Sequence, residues 1–445
     1  MKIDDSSTNL LQAIRTDLYD WRLWTGRAVV IGFSALSGLT VVAFTWMTEL
    51  AFGLFERVSH LHGWATFLWM PLCTASIVWV MRKYAIGATG SGIPQVMASM
   101  DVSVARRDRH LFVSLKLSAI KMALTTWGLL GGLSLGREGP SVQIAAGVMH
   151  HARRYLPDKS QVSENGLLMA GGAAGIAAAF NTPLGGVMFA IEELSRRPDQ
   201  RNYGLLVAGI VLSGLMAVSV YGNATYFGVI HVDKLSSALL VPGLLVAVSC
   251  GLLGGLFARI LLLSIRGDSA DPFSRWRERS PIVFAAVCGL ALAVIGLVGH
   301  GSTFGTGYTH SRAMLEGSPE TQPFFTLLKF VATWLTTWAG VPGGLFAPAL
   351  AIGGSLGNDI ALLTHYANAP TLIALGMAGF LAAVTQAPLT AFIIVMEMVD
   401  GHALVLSMMA TAMVASGVSR LLCVPLYGAL AQLQLQRLPQ PAPAA

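Results

Sequence analysis

The chain has 445 residues, 54% of them hydrophobic and 12% charged, and its 48 glycines bring the apolar share close to two thirds. Soluble proteins carry about 45–50% apolar residues, glycine included, and about 25% charged ones, so this composition cannot furnish a water-facing surface and lipid must be the main solvent. Low charge density excludes a disordered chain and dispersed basic residues exclude a nucleic-acid module, so the net charge of +6 needs another origin.

Residues 1–27 hold Asp4, Asp5, Asp17 and Asp20 among their basic residues, with no short apolar run first, so they are not a cleavable signal. Leu10, Leu11, Ile14 and Leu18 share one helical face, and Trp21 and Trp24 follow. An amphipathic helix on the cytoplasmic membrane surface fits this pattern, and so does a short soluble leader. Simple spans with tilt are predicted over 28–55 and 238–264, and spans of ordinary length over 64–81, 111–133, 205–221, 282–298 and 403–423. Regions 86–105, 136–195 and 340–400 differ, because Gly and Pro repeatedly cut their apolar runs. In lipid that is tolerated only where freed backbone groups face protein or a wet cavity, as in the discontinuous helices around a transporter's substrate site.

Basic residues cluster at Arg82/Lys83, Arg106/Arg107/Arg109, Arg153/Arg154/Lys159, Arg196/Arg197/Arg201 and between Arg259 and Arg279, whereas 221–234 and 301–324 read as loops poor in Lys and Arg. The positive-inside rule places the clustered loops in the cytoplasm, so the net charge is mainly a topology signal. Cys73, Cys250, Cys288 and Cys423 stand alone in apolar segments and read as small core residues.

Two segments match: Asn181-Thr-Pro-Leu-Gly-Gly-Val-Met-Phe-Ala-Ile-Glu192 and Gln386-Ala-Pro-Leu-Thr-Ala-Phe-Ile-Ile-Val-Met-Glu397. Each has an amide side chain, Pro-Leu two residues on, and a Glu nine residues after the Pro. Their prolines lie 205 residues apart (388 − 183), and Pro140 and Pro348 lie 208 apart (348 − 140), so the chain reads as two related halves, roughly 28–221 and 238–427. In membrane transporters such halves often pack inverted. The predicted fold is an all-α polytopic membrane protein of two inverted-topology halves of tilted and broken helices.

One pattern occurs three times: Gly90-Ser91-Gly92-Ile93-Pro94, Gly136-Arg137-Glu138-Gly139-Pro140 and Gly344-Leu345-Phe346-Ala347-Pro348. Glycine allows a sharp turn and proline suits a helix's first turn, so each marks a helix N-terminus. Inside a membrane the unpaired N–H groups and positive dipole ends need an anion. Three converging starts would hold one without a full positive charge, whereas a buried Lys or Arg would bind a small anion too tightly to release it.

In this order the three segments resemble the filter segments of the CLC chloride channel and transporter family, and the resemblance runs from about residue 28 to 427, with Gly-Arg-Glu-Gly-Pro the most specific element. It implies that the Ser91 hydroxyl and the Tyr427 phenol, in Pro425-Leu-Tyr427, donate to a central chloride, joined by the backbone N–H groups of Leu345 and Phe346. By itself Tyr427 reads as an interfacial aromatic. Glu138 lies where an outer anion would sit, so it can act as a tethered competitor: ionised it fills that site, and protonated it swings away. Arg137 beside it contributes through its backbone N–H. Glu193 matches the family's internal proton-transfer glutamate, with a helix end paired with Arg196 and Arg197 as the alternative. Lys121 matches a frequent basic residue that either biases the outer field or pairs with a carboxylate. Glu397 looks structural. Gln95 replaces the acid common in relatives, which affects inner-mouth electrostatics and leaves the anion assignment untouched.

The expected function is proton-coupled chloride antiport by a homodimer with one pathway per subunit, multi-pass in the bacterial inner membrane with both termini cytoplasmic. Chloride and protons are its partners besides lipid, and no cofactor or metal is expected. Residues 428–445 are expected to be a short cytoplasmic tail without regulatory domains. A passive chloride channel of the same fold is the alternative, and a transporter of another small anion a further one. An enzyme is not expected, because no His-Glu-x-x-His, Gly-x-Ser-x-Gly or acidic metal cluster is present and the ten histidines are scattered.

Overall fold

A computed structural model describes residues 20–157, 162–194, 203–222, 225–228, 237–267, 271–317, 322 and 324–436. Most of the expected leader, the basic residues Lys159, Arg196, Arg197 and Arg201, and the last part of the tail lie outside these residues. The described residues form α-helices joined by short 3-10 turns, and seven of the helices are long and apolar enough to cross a membrane.

The first half contains α1 (Trp21–Leu61), α2 (Thr66–Tyr84), α3 (Ile93–Ser99), α4 (Leu115–Leu130), α5 (Glu138–Ala152), α6 (Glu164–Phe180), α7 (Pro183–Phe189) and α8 (Tyr203–Tyr221). The second contains α9 (Leu240–Arg266), α10 (Pro272–Arg279), α11 (Pro281–Val298), α12 (Tyr308–Leu315), α13 (Phe325–Trp338), α14 (Phe346–Thr364), α15 (Ala369–Thr385), α16 (Pro388–Val399) and α17 (Val405–Leu422), and α18 (Leu426–Gln436) closes the chain. With α10 set aside, α1–α8 and α9–α17 correspond in order. The helix starts at Trp21 rather than at 28, because Asp20 caps it by accepting from the Arg22 N–H (2.9 Å). The region 301–324, read as a loop, carries α12, whose mixed composition hides its periodicity. Residues 428–436, expected as tail, continue α18.

Three exchanges show how the halves are related. Gly136 and Gly344, 208 residues apart (344 − 136), form an isolated antiparallel bridge, with N–H···O distances of 2.8 and 2.7 Å. A residue paired with its own repeat mate lies on a two-fold axis, and the antiparallel sense inverts the halves. Glu192 accepts from the N–H groups of Leu389 (3.1 Å) and Thr390 (2.6 Å) at the start of α16, while Glu397 accepts from Leu184 (3.1 Å) and Gly185 (2.7 Å) at the start of α7. Each glutamate caps the helix of the other half, where its charge favours the positive dipole end. Glu397 is therefore structural, and so is Glu192. Asn181 and Gln386, at matching positions, turn through left-handed backbone (φ 58° and 59°) to start those helices.

Small residues let the buried helices approach. An added Cβ on Gly175 of α6 would lie 2.5 Å from the Ser141 carbonyl of α5, and α14 meets α15 as closely where Gly353 faces Gly376. Large apolar side chains point outward instead: Leu240, Leu244, Leu252 and Leu263 of α9 are exposed, while Gly251, Gly254 and Gly255 face inward. Large outside and small inside is the arrangement that lipid favours.

Candidate functional site: three helix starts around one point

The starts of α3, α5 and α14 meet at the centre of the molecule. Besides the Gly136–Gly344 bridge, the Gly343 N–H donates to the Gly90 carbonyl (3.3 Å), which ties all three segments together by backbone. There is no room to spare. An added Cβ on Gly344 would lie 2.9 Å from the Gly139 nitrogen, and one on Gly139 would press into Ser91. Pro94, Pro140 and Pro348 sit within the first turn of their helices, as the Gly-x-x-x-Pro spacing predicts. Gly90 and Gly92 turn the chain at φ 69° and 111°, and Ile93 begins α3 directly behind them. All of 131–149 and 344–355 is buried, so these helix ends are cut off from bulk water.

The expected side chains gather here. Ser91 is buried, and the Tyr427 ring is fully buried, carried in by the start of α18 and packed on Phe346 with ring centroids 6.1 Å apart. Phe346 is held in turn by Phe180 and Phe189 (6.4 and 6.2 Å). The Ser91 and Tyr427 hydroxyls lie within reach of each other, and neither makes a hydrogen bond within 3.5 Å among the described residues. Two buried hydroxyls turned on one point can both donate to an anion placed there. Leu345 is the N-cap of α14 and Phe346 its first residue, so their N–H groups belong to the helix's unpaired set.

Glu138 opens α5 and is fully buried. Its Oε2 accepts from the Ala347 N–H (3.4 Å) and bends toward Gly136 and Gly344, while Oε1 has no hydrogen-bond partner among the described residues. The carboxylate thus reaches across to the start of α14, beyond its own helix. Arg137 sends its side chain the other way: Nη1 pairs with Glu49 (2.8 Å) and Nη2 donates to the Tyr226 hydroxyl (3.4 Å).

Lys121 pairs with no carboxylate among the described residues. Fully buried, it donates to the carbonyls of Ala88 (2.8 Å) and Gly90 (2.5 Å) and so clamps the loop that carries Ser91. Gln95 reaches back to the Thr89 carbonyl, and Gln143 donates to Gly87 (2.9 Å) and Phe112 (2.7 Å). Gln143 carries no sequence signal, since a lone amide in an apolar run shows its role only when the loop folds over it.

Glu193 lies in a π-helical turn (Ala190–Leu194) and lines a cavity of about 510 Å³ with Met97, Asp101, Asn165 and Gly428. Nearby, Glu164 gathers His150 (2.9 Å), Arg153 (3.1 Å), Arg109 (3.5 Å) and Arg106 (3.8 Å), joining two of the basic clusters at one mouth.

A family model described as voltage gated chloride channel matches residues 73–420. Among solved structures, a slow cyanobacterial Cl−/H+ antiporter superposes with a TM-score of 0.77 at 23% identity, covering 94% of this chain and 98% of its own. A CLC-type fluoride/proton antiporter gives 0.74 at 22%, covering 91% and 97%, and a eukaryotic CLC transporter 0.73 at 22%, covering 92% and 74%. At these identities the structures establish a shared fold.

Proposed function

Since the chain belongs to the voltage gated chloride channel family, we propose that it exchanges chloride for protons across a membrane, as a homodimer with a separate pathway in each subunit. The observation that carries this reading is the pair of buried hydroxyls, Ser91 and Tyr427, turned on each other at a point where three helix starts converge. Neutral donors and dipole ends compensate a dehydrated anion without trapping it.

Glu138 makes anion and proton movement exclusive of one another. Ionised, its carboxylate takes the place of an outer chloride at the starts of α5 and α14. Protonated, it loses the charge that holds it there and swings out, and chloride enters. A proton bound at Glu138 travels toward Glu193, which lines the cavity on the side of the basic cluster around Glu164. That side is cytoplasmic by the positive-inside rule, which also places both termini there and suits a bacterial inner membrane. Chloride leaves by Ser91 and Tyr427, so the two ions share only the outer half of the route.

Reconstitution in liposomes tests the assignment of roles. Glu193→Gln is expected to keep chloride flux and lose proton flux; full coupling in this variant removes Glu193 from the path. Glu138→Gln, lacking the ionised competitor, is expected to carry chloride at a rate independent of pH with no coupled protons. Reversal potentials under crossed chloride and pH gradients separate exchange from passive conduction, and competing nitrate or fluoride identifies the preferred anion.

A further inference from the structure

The two-fold relation extends to a second loop. Lys121 and Lys329 are 208 residues apart (329 − 121), the offset of Pro140 and Pro348, and both are fully buried. Lys329 donates to Thr303 (2.9 Å) and Gly305 (2.7 Å), as Lys121 does to Ala88 and Gly90. The clamped loops match as well, Gly305-Thr-Gly-Tyr308 against Gly90-Ser-Gly-Ile93, with positive φ at Gly305 (61°) and Gly307 (86°). Helices α3 and α12 each begin directly after the second glycine. Thr306 therefore stands where Ser91 stands, and the inversion turns it toward the opposite mouth.

That mouth holds a cavity of about 310 Å³ lined by Glu49, Arg137, Tyr226, Thr306, Tyr308 and Arg312. The Arg137 side chain is only 7% exposed, whereas its partner Glu49 is 53% exposed, and Arg137 Nε has no hydrogen-bond partner among the described residues. A half-exposed carboxylate can rotate into water at little cost, but the enclosed guanidinium cannot follow it. Arg312 adds positive charge that it shares with Glu316 (2.8 Å). Arg137, the residue before Glu138, donates to the Tyr226 hydroxyl in this cavity (3.4 Å), so the cavity adjoins the gate.

We infer that this cavity is a receiving station for a small monovalent anion, one step outside the position held by Glu138, with the Glu49 carboxylate as its resident competitor. The inference rests on the reading of the chain as an anion transporter. Thr306 and Arg137 supply the donors, and Glu49 leaves when the anion arrives, so the cavity never holds an uncompensated guanidinium.

The test is the chloride dependence of flux in the full-length reconstituted protein, with chloride varied on one side at a time and ionic strength held constant with gluconate. Glu49→Gln is expected to lower the half-saturating outer chloride by about 2- to 5-fold, the range for a half-exposed ion pair, and to leave the inner value unchanged, with Glu49→Asp close to wild type. Thr306→Val is expected to raise the outer value by about 2- to 10-fold, the worth of one hydrogen bond, with Thr306→Ser restoring it. An unchanged outer value in Glu49→Gln, or a fall in maximal rate alone, makes the pair a structural strut and overturns the inference. Should Glu49→Gln fail to fold, Thr306→Val decides: a raised outer value supports the station and an unchanged one refutes it. Absence of chloride flux in the wild type refutes the transport reading instead.

Discussion

Replacing Glu397 with glutamine probes the duplicated architecture where the two halves exchange caps. Glu397 accepts from Leu184 and Gly185, and Glu192 from Leu389 and Thr390, at 2.6–3.1 Å. The amide keeps one acceptor oxygen, turns an NH2 group toward the other N–H, and loses the charge at the dipole end. A hydrogen bond to a charged group contributes about 1.5–3 kcal/mol and the dipole about 0.3–1 kcal/mol. Glu397 is half-buried, so a net loss of about 2–3 kcal/mol is expected for the first turn of α7. At about 1.4 kcal/mol per factor of ten, that equals about 30- to 150-fold faster amide exchange where exchange follows local opening. Hydrogen–deuterium exchange on the detergent-solubilised protein should show it in peptides spanning 184–187, with 389–391 unchanged, and Glu192→Gln should give the reverse. Equal acceleration at both sites, or at the start of the mutated helix alone, would refute reciprocal capping.

Tyr427→Phe removes one of the two facing hydroxyls, and calorimetric chloride titration should show affinity reduced by about tenfold, the lower range for a bond to a charged ligand; unchanged affinity means Tyr427 does not touch the anion. Lys121→Met leaves the buried Ala88 carbonyl without its donor and the Gly90 carbonyl with the Gly343 N–H alone. A loss of about 1–3 kcal/mol should appear as a lower thermal midpoint by size-exclusion chromatography, and wild-type stability contradicts the clamp. Gly344→Ala puts a methyl group 2.9 Å from the Gly139 nitrogen, while Gly417→Ala meets open space. Overpacking costs about 1–3 kcal/mol at the first position, and chloride flux should fall by about tenfold or more there while staying normal at the second; equal fluxes would show that the three segments do not meet as described.

What the sequence disclosed depended on periodicity and punctuation. The long spans and the Gly-x-x-x-Pro starts were legible because lipid demands unbroken apolar length and proline fixes a first turn. The 205- and 208-residue offsets announced the repeat, and extending them to Lys329 would have exposed its kinship with Lys121. Two kinds of feature stayed hidden. Helix α12 mixes polar and apolar residues because it lies between a cavity and the core, so neither hydropathy nor amphipathic pattern marks it. The roles of Lys121 and Gln143 depend on backbone carbonyls 31 to 56 residues away, and carbonyls carry no sequence identity. A carboxylate partner could be sought among the acids of the chain, but a carbonyl partner emerges only with the fold.

Proton movement driven by a chloride gradient, measured with chloride flux in the same liposomes, tests the central claim most directly. With Glu138 alternating between proton and anion duty, a chloride gradient imposed at equal pH should drive protons uphill in the opposite direction, and the movement should persist when the membrane potential is clamped. Chloride flux with no accompanying proton movement under that clamp would contradict the account.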